Sequence, residues 1–233
     1  LGEEKRKSFQ ALELREGLGV LDVGCGTGDD VRAMAQIVGP SGRACGVDAS
    51  AAMIAEAQKR GVPANVSFAQ ADAGVLPFDD AAFDAVRAER LFQHLIKPEG
   101  AAAELRRVTR AGGKVFLIDP DWETLVVAGA DARITRQITS ALVEGLANPF
   151  AGRNALSLLR RAGFRSVVAS AIASTPPLAT AYDLFLGSAV DLALNARHVS
   201  REEAATWLAN LTQAEQHGEF FCAVLSVATL ATA

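Results

Sequence analysis

Five stretches of this 233-residue chain hold residue types whose spacing supports chemistry. The first is Asp22-Val23-Gly24-Cys25-Gly26-Thr27-Gly28. An apolar run precedes it and a helical pattern follows, the setting in which a glycine loop binds a ligand through its backbone. Glycines let the chain turn sharply and bring main-chain amides close to a bound molecule, where a Cβ would block the approach. The spacing is Gly24-x-Gly26-x-Gly28, whereas a dinucleotide fingerprint reads G-x-G-x-x-G. Positions 29 and 30 are both Asp. Two carboxylates at a helix N-terminus repel a pyrophosphate but tolerate a cofactor bearing an amino group and a sulfonium.

The second feature is Asp48, which closes the next apolar run 20 residues after Gly28. An acid there can accept from both ribose hydroxyls, which alone does not separate a nicotinamide cofactor from adenosylmethionine. The third is Ala71-Asp72-Ala73, with Leu76-Pro77-Phe78 shortly after; its carboxylate can accept from an adenine amino group or cap the following turn. The fourth is Glu89-Arg90-Leu91-Phe92-Gln93-His94. His94 is the obvious imidazole there and can take a proton near neutral pH; alternatively it packs against or bonds the cofactor. His198 and His217 fall near helix ends and read as surface residues. The fifth is Asp119-Pro120-Asp121-Trp122. Asp119 or Asp121 can orient an acceptor, or the segment is only the turn that Asp-Pro favours.

Elements that alternate in type must position these groups. Apolar β-branched runs alternate with helical patterns, the signature of a parallel sheet with crossover helices. The patterns predict strands at 19–23, 44–47, 66–69, 83–86, 114–118, 167–173 and 220–230. Helices are expected at about 29–38, from Ser50 onward, and at 98–109, 131–146, 154–162, 179–195 and 200–216. Ser50 is a good N-cap, and Ser200-Arg201-Glu202-Glu203 is a capping box. Gly39-Pro40-Ser41-Gly42 and Pro176-Pro177 break the chain. Ala111-Gly112-Gly113 reads as the close of the helix before strand five, and Gly163 as a C′ glycine.

Composition bounds the partners. Half the residues are hydrophobic, 21% are charged and the net charge is −4, as in ordinary globular proteins. No Lys/Arg block supplies the footprint of a nucleic-acid binder. Cys25, Cys45 and Cys222 match no zinc spacing, so no metal site is expected and the cysteines read as reduced thiols, consistent with a cytoplasmic protein. No apolar run reaches the length of a membrane span. The start, Leu1-Gly2-Glu3-Glu4-Lys5-Arg6-Lys7, is polar and lacks an initiator Met, which reads as a trimmed N-terminus. One domain over 1–233 is expected, with a cofactor-binding half at 1–120 and helical substrate or lid insertions at about 120–150 and 176–217. A monomer and a homodimer both remain open.

The sequence resembles the class I S-adenosylmethionine-dependent methyltransferases, in the branch that includes the ubiquinone/menaquinone C-methyltransferases. The resemblance rests on Val20-Leu21-Asp22-Val23-Gly24-Cys25-Gly26-Thr27-Gly28, Gly46-Val47-Asp48-Ala49-Ser50, Ala71-Asp72-Ala73 with Leu76-Pro77-Phe78, Phe83-Asp84-Ala85-Val86, and Glu104-Leu105-Arg106-Arg107-Val108 through Gly112-Gly113. It covers about residues 18–120. It implies an α/β, Rossmann-like fold: a three-layer sandwich around a seven-stranded, mostly parallel sheet with an antiparallel last strand. It implies S-adenosyl-L-methionine as cofactor, with Gly24, Gly26, Thr27 and Glu89 at the methionine part, Asp48 at the ribose and Asp72 with Ala73 at the adenine. Cys25, Ala49 and Met53 complete the expected set, although Cys25 and Met53 are of types that more often pack.

The expected activity is methyl transfer to a small molecule that is aromatic, quinone-like or another natural product, at oxygen, carbon or nitrogen. His94 and Asp121 are the candidate catalytic residues. Asp119-Pro120-Asp121-Trp122 resembles the Asn/Asp-Pro-Pro-Tyr motif of amino-group methyltransferases acting on nucleic-acid bases and glutamine. It lacks the second proline and the tyrosine and follows strand five rather than strand four, which argues against those substrates. Trp122, Leu125, Phe150, Tyr182, Phe185 and Leu186 can wall an apolar acceptor pocket or belong to a helix-face core, and the segment around Phe9 is expected to fold over the cofactor. Two alternatives stand beside transfer: an adenosylmethionine-binding cyclase or rearrangement enzyme, and a non-catalytic relative of the fold. A nicotinamide oxidoreductase fits Asp29-Asp30 poorly.

Overall fold

Strand β1 (Gly19–Val23) is buried at every position, as a strand must be when both faces of its sheet are covered. The computed structural model describes residues 3–233, so Leu1 and Gly2 of the polar start lie outside the described residues. Around β1 lie β2 (Arg43–Asp48), β3 (Val66–Gln70), β4 (Phe83–Glu89), β5 (Thr109–Ala128), β6 (Arg165–Ser174) and β7 (Phe221–Thr232). They form a seven-stranded sheet in the order β3-β2-β1-β4-β5-β7-β6. Strands β1 to β5 pair in parallel and β7 runs antiparallel, the mixed sheet the sequence predicts. The chain steps outward from β1 to β3 and returns to β4 on the other side of β1. Such a switch point leaves a crevice at the carboxyl ends of the two central strands, where ligands of open α/β sheets bind.

The helices are α1 (Glu3–Ala11), α2 (Asp29–Val38), α3 (Ala51–Lys59), α4 (Pro98–Val108), α5 (Ala132–Gly145), α6 (Ala151–Arg161), α7 (Leu178–Ala181), α8 (Gly187–Asn195) and α9 (Arg201–Gln216). Their ends follow local chemistry. The Ser50 hydroxyl accepts from the Met53 amide and caps α3, and Ser200 and Glu203 form the predicted capping box of α9. Pro98 opens α4, where its missing N–H costs nothing. Gly163 follows α6 with φ of +90°, the C′ conformation expected of it. The helix predicted over 179–195 is instead divided, with a π-helical turn at Tyr182–Leu186 between α7 and α8.

Two compact units emerge. The first holds the chain up to Asp119 together with Asn154–Ser170 and Ala228–Ala233; the second holds Pro120–Arg153 and Ala171–Val227. The expectation was one domain with insertions at about 120–150 and 176–217. In the first unit, Val20, Leu21, Val31, Met34, Phe83 and Leu105 are fully or almost fully buried. In the second, Trp122, Ile138, Phe185, Leu186, Trp207 and Leu211 share one core cluster. Trp207 satisfies its indole by donating to the Thr135 hydroxyl at 2.9 Å, as a buried Trp usually must. Among the described residues, no helix is long and apolar enough to cross a membrane, and no group of His, Cys, Asp and Glu is placed to hold a metal ion.

Strand β5 departs most from expectation. It runs for 20 residues where five were predicted, and it absorbs two segments read as breaks. Ala111-Gly112-Gly113 is an irregularity within the strand: Phe83 pairs with Thr109, but Ala85 pairs with Lys114. Pro120 is tolerated because β4 ends its pairing with β5 at Glu89↔Ile118. The missing N–H of Pro120 therefore falls beyond that ladder, where proline is admitted. Gly113 is required by space, since a Cβ there would stand 2.8 Å from the carbonyl oxygen of Asp84 and 2.9 Å from that of Arg110. Backbone atoms cannot yield as a side chain can, so Gly113→Ala is expected to lose about 1–3 kcal/mol of stability through overpacking. Urea unfolding of the two proteins measures it, and equal midpoints would refute it.

Candidate cofactor site

The glycine loop leaves β1 at the switch point. Gly24, Gly26 and Gly28 all hold positive φ, at 77°, 53° and 77°, which no side chain adopts readily. The amides of Gly24 and Cys25 both donate to the Val47 carbonyl, at 2.8 and 2.9 Å. Asp48 clamps the bend from the neighbouring strand. Its Oδ2 accepts from the Gly26 amide and its Oδ1 from the Ser50 amide, each at 2.9 Å. A carboxylate oxygen has two lone pairs, so both oxygens keep acceptor capacity for ribose hydroxyls. On the outer side, Arg32 donates to the Thr27 carbonyl at 2.9 Å, and Arg60 reaches Thr27 Oγ1 at 3.3 Å and Asp29 at 3.2 Å. Cys25 is buried, and burial, with the charges of Asp22 and Asp48, pushes its thiol up to about 12. It packs rather than reacts, lying against Gly46.

Beneath the loop lies a charge network not foreseen from the sequence. Arg87 of β4 is 1% exposed. Its guanidinium donates to Ser8 Oγ at 3.2 Å, Asp22 Oδ1 at 3.3 Å, Asp30 Oδ2 at 3.0 Å and Glu89 Oε2. The Phe9 ring lies 5.7 Å from its central carbon, and Lys5 pairs with Asp30 at 2.7 Å. Burial pulls the Arg87 pKa down, but the charges of Asp22, Glu89 and Asp30 more than restore it, so Arg87 stays charged. Asp22 is pushed up to about 7 by burial, against the opposing pull of Arg87. With Asp22 protonated, Arg87 and Lys5 balance Asp30 and Glu89; once Asp22 ionises, above about pH 7, the network carries one negative charge in excess. The signal in the sequence was a lone arginine inside the apolar run of β4.

The remaining site candidates scatter in their duties. Ala49 and Met53 are exposed around the N-terminus of α3, Met53 at 45%. Asp72 is exposed and its Oδ1 accepts from the Gly74 amide at 2.7 Å, the turn-capping alternative, while Ala73 is buried. Glu89 is held by Arg87. His94 ends the 3₁₀ turn Phe92–His94; partial burial, then the charge of Arg90, holds its imidazole below the usual histidine range. Asp121 lies in the second unit and is 4% exposed. Both its oxygens are taken by Arg153, through Nε and, at 2.7 Å, through Nη2. Arg153 also pairs with Glu123 at 2.8 Å and lies over the Phe150 ring at 5.1 Å. Asp121 is thus a buried member of an ion pair with Arg153. Of the six expected wall residues, Trp122, Leu125, Phe185 and Leu186 are core, with the Trp122 and Phe185 rings 5.3 Å apart. Phe9 covers Arg87.

Comparison with known proteins identifies the family. A methyltransferase domain model matches residues 20–113. An uncharacterised 37.1 kDa protein in transposon TN4556 of Streptomyces fradiae is 34% identical over 234 residues, covering 98% of this chain and 66% of that protein. The ubiquinone/menaquinone biosynthesis C-methyltransferase UbiE of Stutzerimonas stutzeri is 35% identical over 119 residues, 49% of this chain and 46% of that one. The chain thus spans about half the length of that C-methyltransferase. The crystal structure of a candidate methyltransferase from Bacillus halodurans C-125 shares the fold, with a TM-score of 0.68 at 20% identity and 99% of each chain covered. The chain belongs to the class I S-adenosylmethionine-dependent methyltransferases, and S-adenosylmethionine is the cofactor of that class.

Burial of Asp22 has a pH signature. Its folded pKa of about 7 lies above the ordinary 3.8, so the folded state holds a proton that the unfolded chain releases. The resulting stabilisation is complete below about pH 4 and is lost as pH rises through about 7. The melting temperature of the ligand-free protein should therefore fall from about pH 4 to about pH 7 and level off above it, and fall less in Asp22→Asn. Parallel melting profiles for the two proteins would show that Asp22 does not titrate there.

Proposed function

We propose that this chain transfers the methyl group of S-adenosylmethionine to a small-molecule acceptor. The observation that carries this reading is the loop of three left-handed glycines, clamped at Gly26 by an Asp48 carboxylate that keeps lone pairs for a ribose. In this reading Gly24, Gly26 and Thr27 seat the methionine part. Glu89 meets its cationic end, aimed by Arg87. Asp48 accepts from the ribose hydroxyls. Ala49 and Met53 flank the adenine, and Asp72 and Ala73 face its edge.

The sulfonium supplies an already activated methyl group, so the protein's task is mainly to align the acceptor with the S–CH₃ bond and keep water out. His94 is the candidate base. Its depressed pKa leaves the imidazole neutral at pH 7 and able to accept a proton from a hydroxyl or an acidic carbon. An aromatic or quinone-like acceptor stands first, since the chain resembles a C-methyltransferase of ubiquinone and menaquinone biosynthesis. A reducing compartment such as the cytoplasm suits the three free, buried cysteines.

Asp48→Ala is expected to weaken S-adenosylmethionine binding by about 1–3 kcal/mol, through lost ribose bonds and an unclamped loop; unchanged affinity by calorimetry would remove the ribose assignment. With an acceptor in hand, the rate should rise with pH through an apparent pKa below 6.5 and level off above it. His94→Ala should lose that limb and slow the reaction by about 10²–10⁴-fold; an unaltered profile and rate would exclude it as the base. The decisive experiment incubates the chain with methyl-labelled cofactor and a panel of phenols, quinols and amines, followed by mass spectrometry. Labelled product establishes transfer and names the acceptor atom, whereas unlabelled product points to cyclisation or rearrangement.

A further inference from the structure

The segment after β4 is held in place from β5. Arg90 adopts φ of +51°, an uncommon conformation for a residue with a side chain, and its amide donates to the Ile118 carbonyl at 2.8 Å. The next anchors come from one side chain. The Phe92 amide donates to Asp119 Oδ2 at 3.3 Å and the Gln93 amide to Asp119 Oδ1 at 3.1 Å. Asp119 is 2% exposed, so it cannot meet an acceptor from solvent. Both its oxygens are aimed at the turn instead. Burial pushes it up to about 7, with the two amide bonds pulling the other way.

Leu91 sits between these anchors and touches the glycine loop. A Cβ built on Gly24 would stand 3.1 Å from Leu91 Cδ1 and 3.3 Å from Leu91 Cβ. The Gly24 amide in turn donates to Val47, next to the clamp at Asp48. A fixed turn therefore fixes the face against which the first glycine is packed. We propose that Asp119 is a positioning residue for the cofactor loop, acting through the 90–94 turn and the contact of Leu91 with Gly24. The proposal rests on the cofactor reading above and adds to it a residue that touches no part of the ligand.

The test is calorimetry of S-adenosylmethionine with the full chain. Asp119→Asn keeps the shape but turns one acceptor into a donor facing an amide, and should weaken binding about tenfold. Leu91→Ala should weaken it several-fold. Because both act through one contact, the double variant should bind no more weakly than the weaker single variant. Full multiplication of the two losses, or wild-type affinity in a folded Asp119→Asn, would overturn the proposal. If Asp119→Asn fails to fold, hydrogen–deuterium exchange on the wild-type chain decides. The cofactor should slow exchange at Phe92 and Gln93 together with the glycine loop; protection of the loop alone counts against Asp119. No binding heat in the wild-type protein would instead sink the cofactor reading itself.

Discussion

A guanidinium buried on a central strand must be neutralised where it stands, and much of the first unit is arranged to do so. Arg87 draws partners from α1, β1, α2 and its own strand. Removing one member of such a buried set leaves an uncompensated charge and typically costs about 3–5 kcal/mol. The network therefore explains placements that otherwise look unrelated: an N-terminal helix with Ser8 and Phe9 buried, an acid at the second position of α2, and an acid just ahead of the glycine loop. Aspartates near a helix N-terminus also favour its dipole, so Asp30 serves both the helix and the arginine.

The loop above that network has little freedom. Its amides are drawn to Val47 and Asp48 on one side and its carbonyl at Thr27 to Arg32 on the other. Preorganisation of this kind lowers the entropic cost of binding. Asp48 both shapes the loop and retains capacity for a ligand. Asp72 likewise shapes its own turn, with one oxygen accepting from the Gly74 amide.

The local features were legible in advance. The strand–loop–helix order, Ser50, the capping box at Ser200 and the position of Asp48 all follow from short-range pattern, because strand and helix periods and cap chemistry are encoded within a few residues. What escaped were pairings over distance. Arg153 is 32 positions from Asp121, and no pattern in the sequence joins them, so Asp121 read as a free acid. The length of β5 escaped because its glycines and Pro120 resemble breaks until the partner strand's end is known. The six large apolar residues expected to wall a pocket read equally well as wall or as core, since both environments are apolar; burial places four of the six, Trp122, Leu125, Phe185 and Leu186, in the core.

The three loop glycines look alike in the sequence, yet mutational drift would meet a different barrier at each. At Gly28 a methyl group would fall 2.4 Å from the Phe68 ring, and at Gly24 it would crowd Leu91. At Gly26 no protein atom lies within 4 Å of the added atom, so the barrier there is the backbone torsion together with the ligand that the proposed function seats on this glycine. Asn and Asp tolerate that torsion better than other side chains. Across descendants of this chain, position 28 stays closed until residue 68 changes first and position 24 until residue 91 does, while position 26 is guarded by its torsion and by the ligand rather than by a protein neighbour.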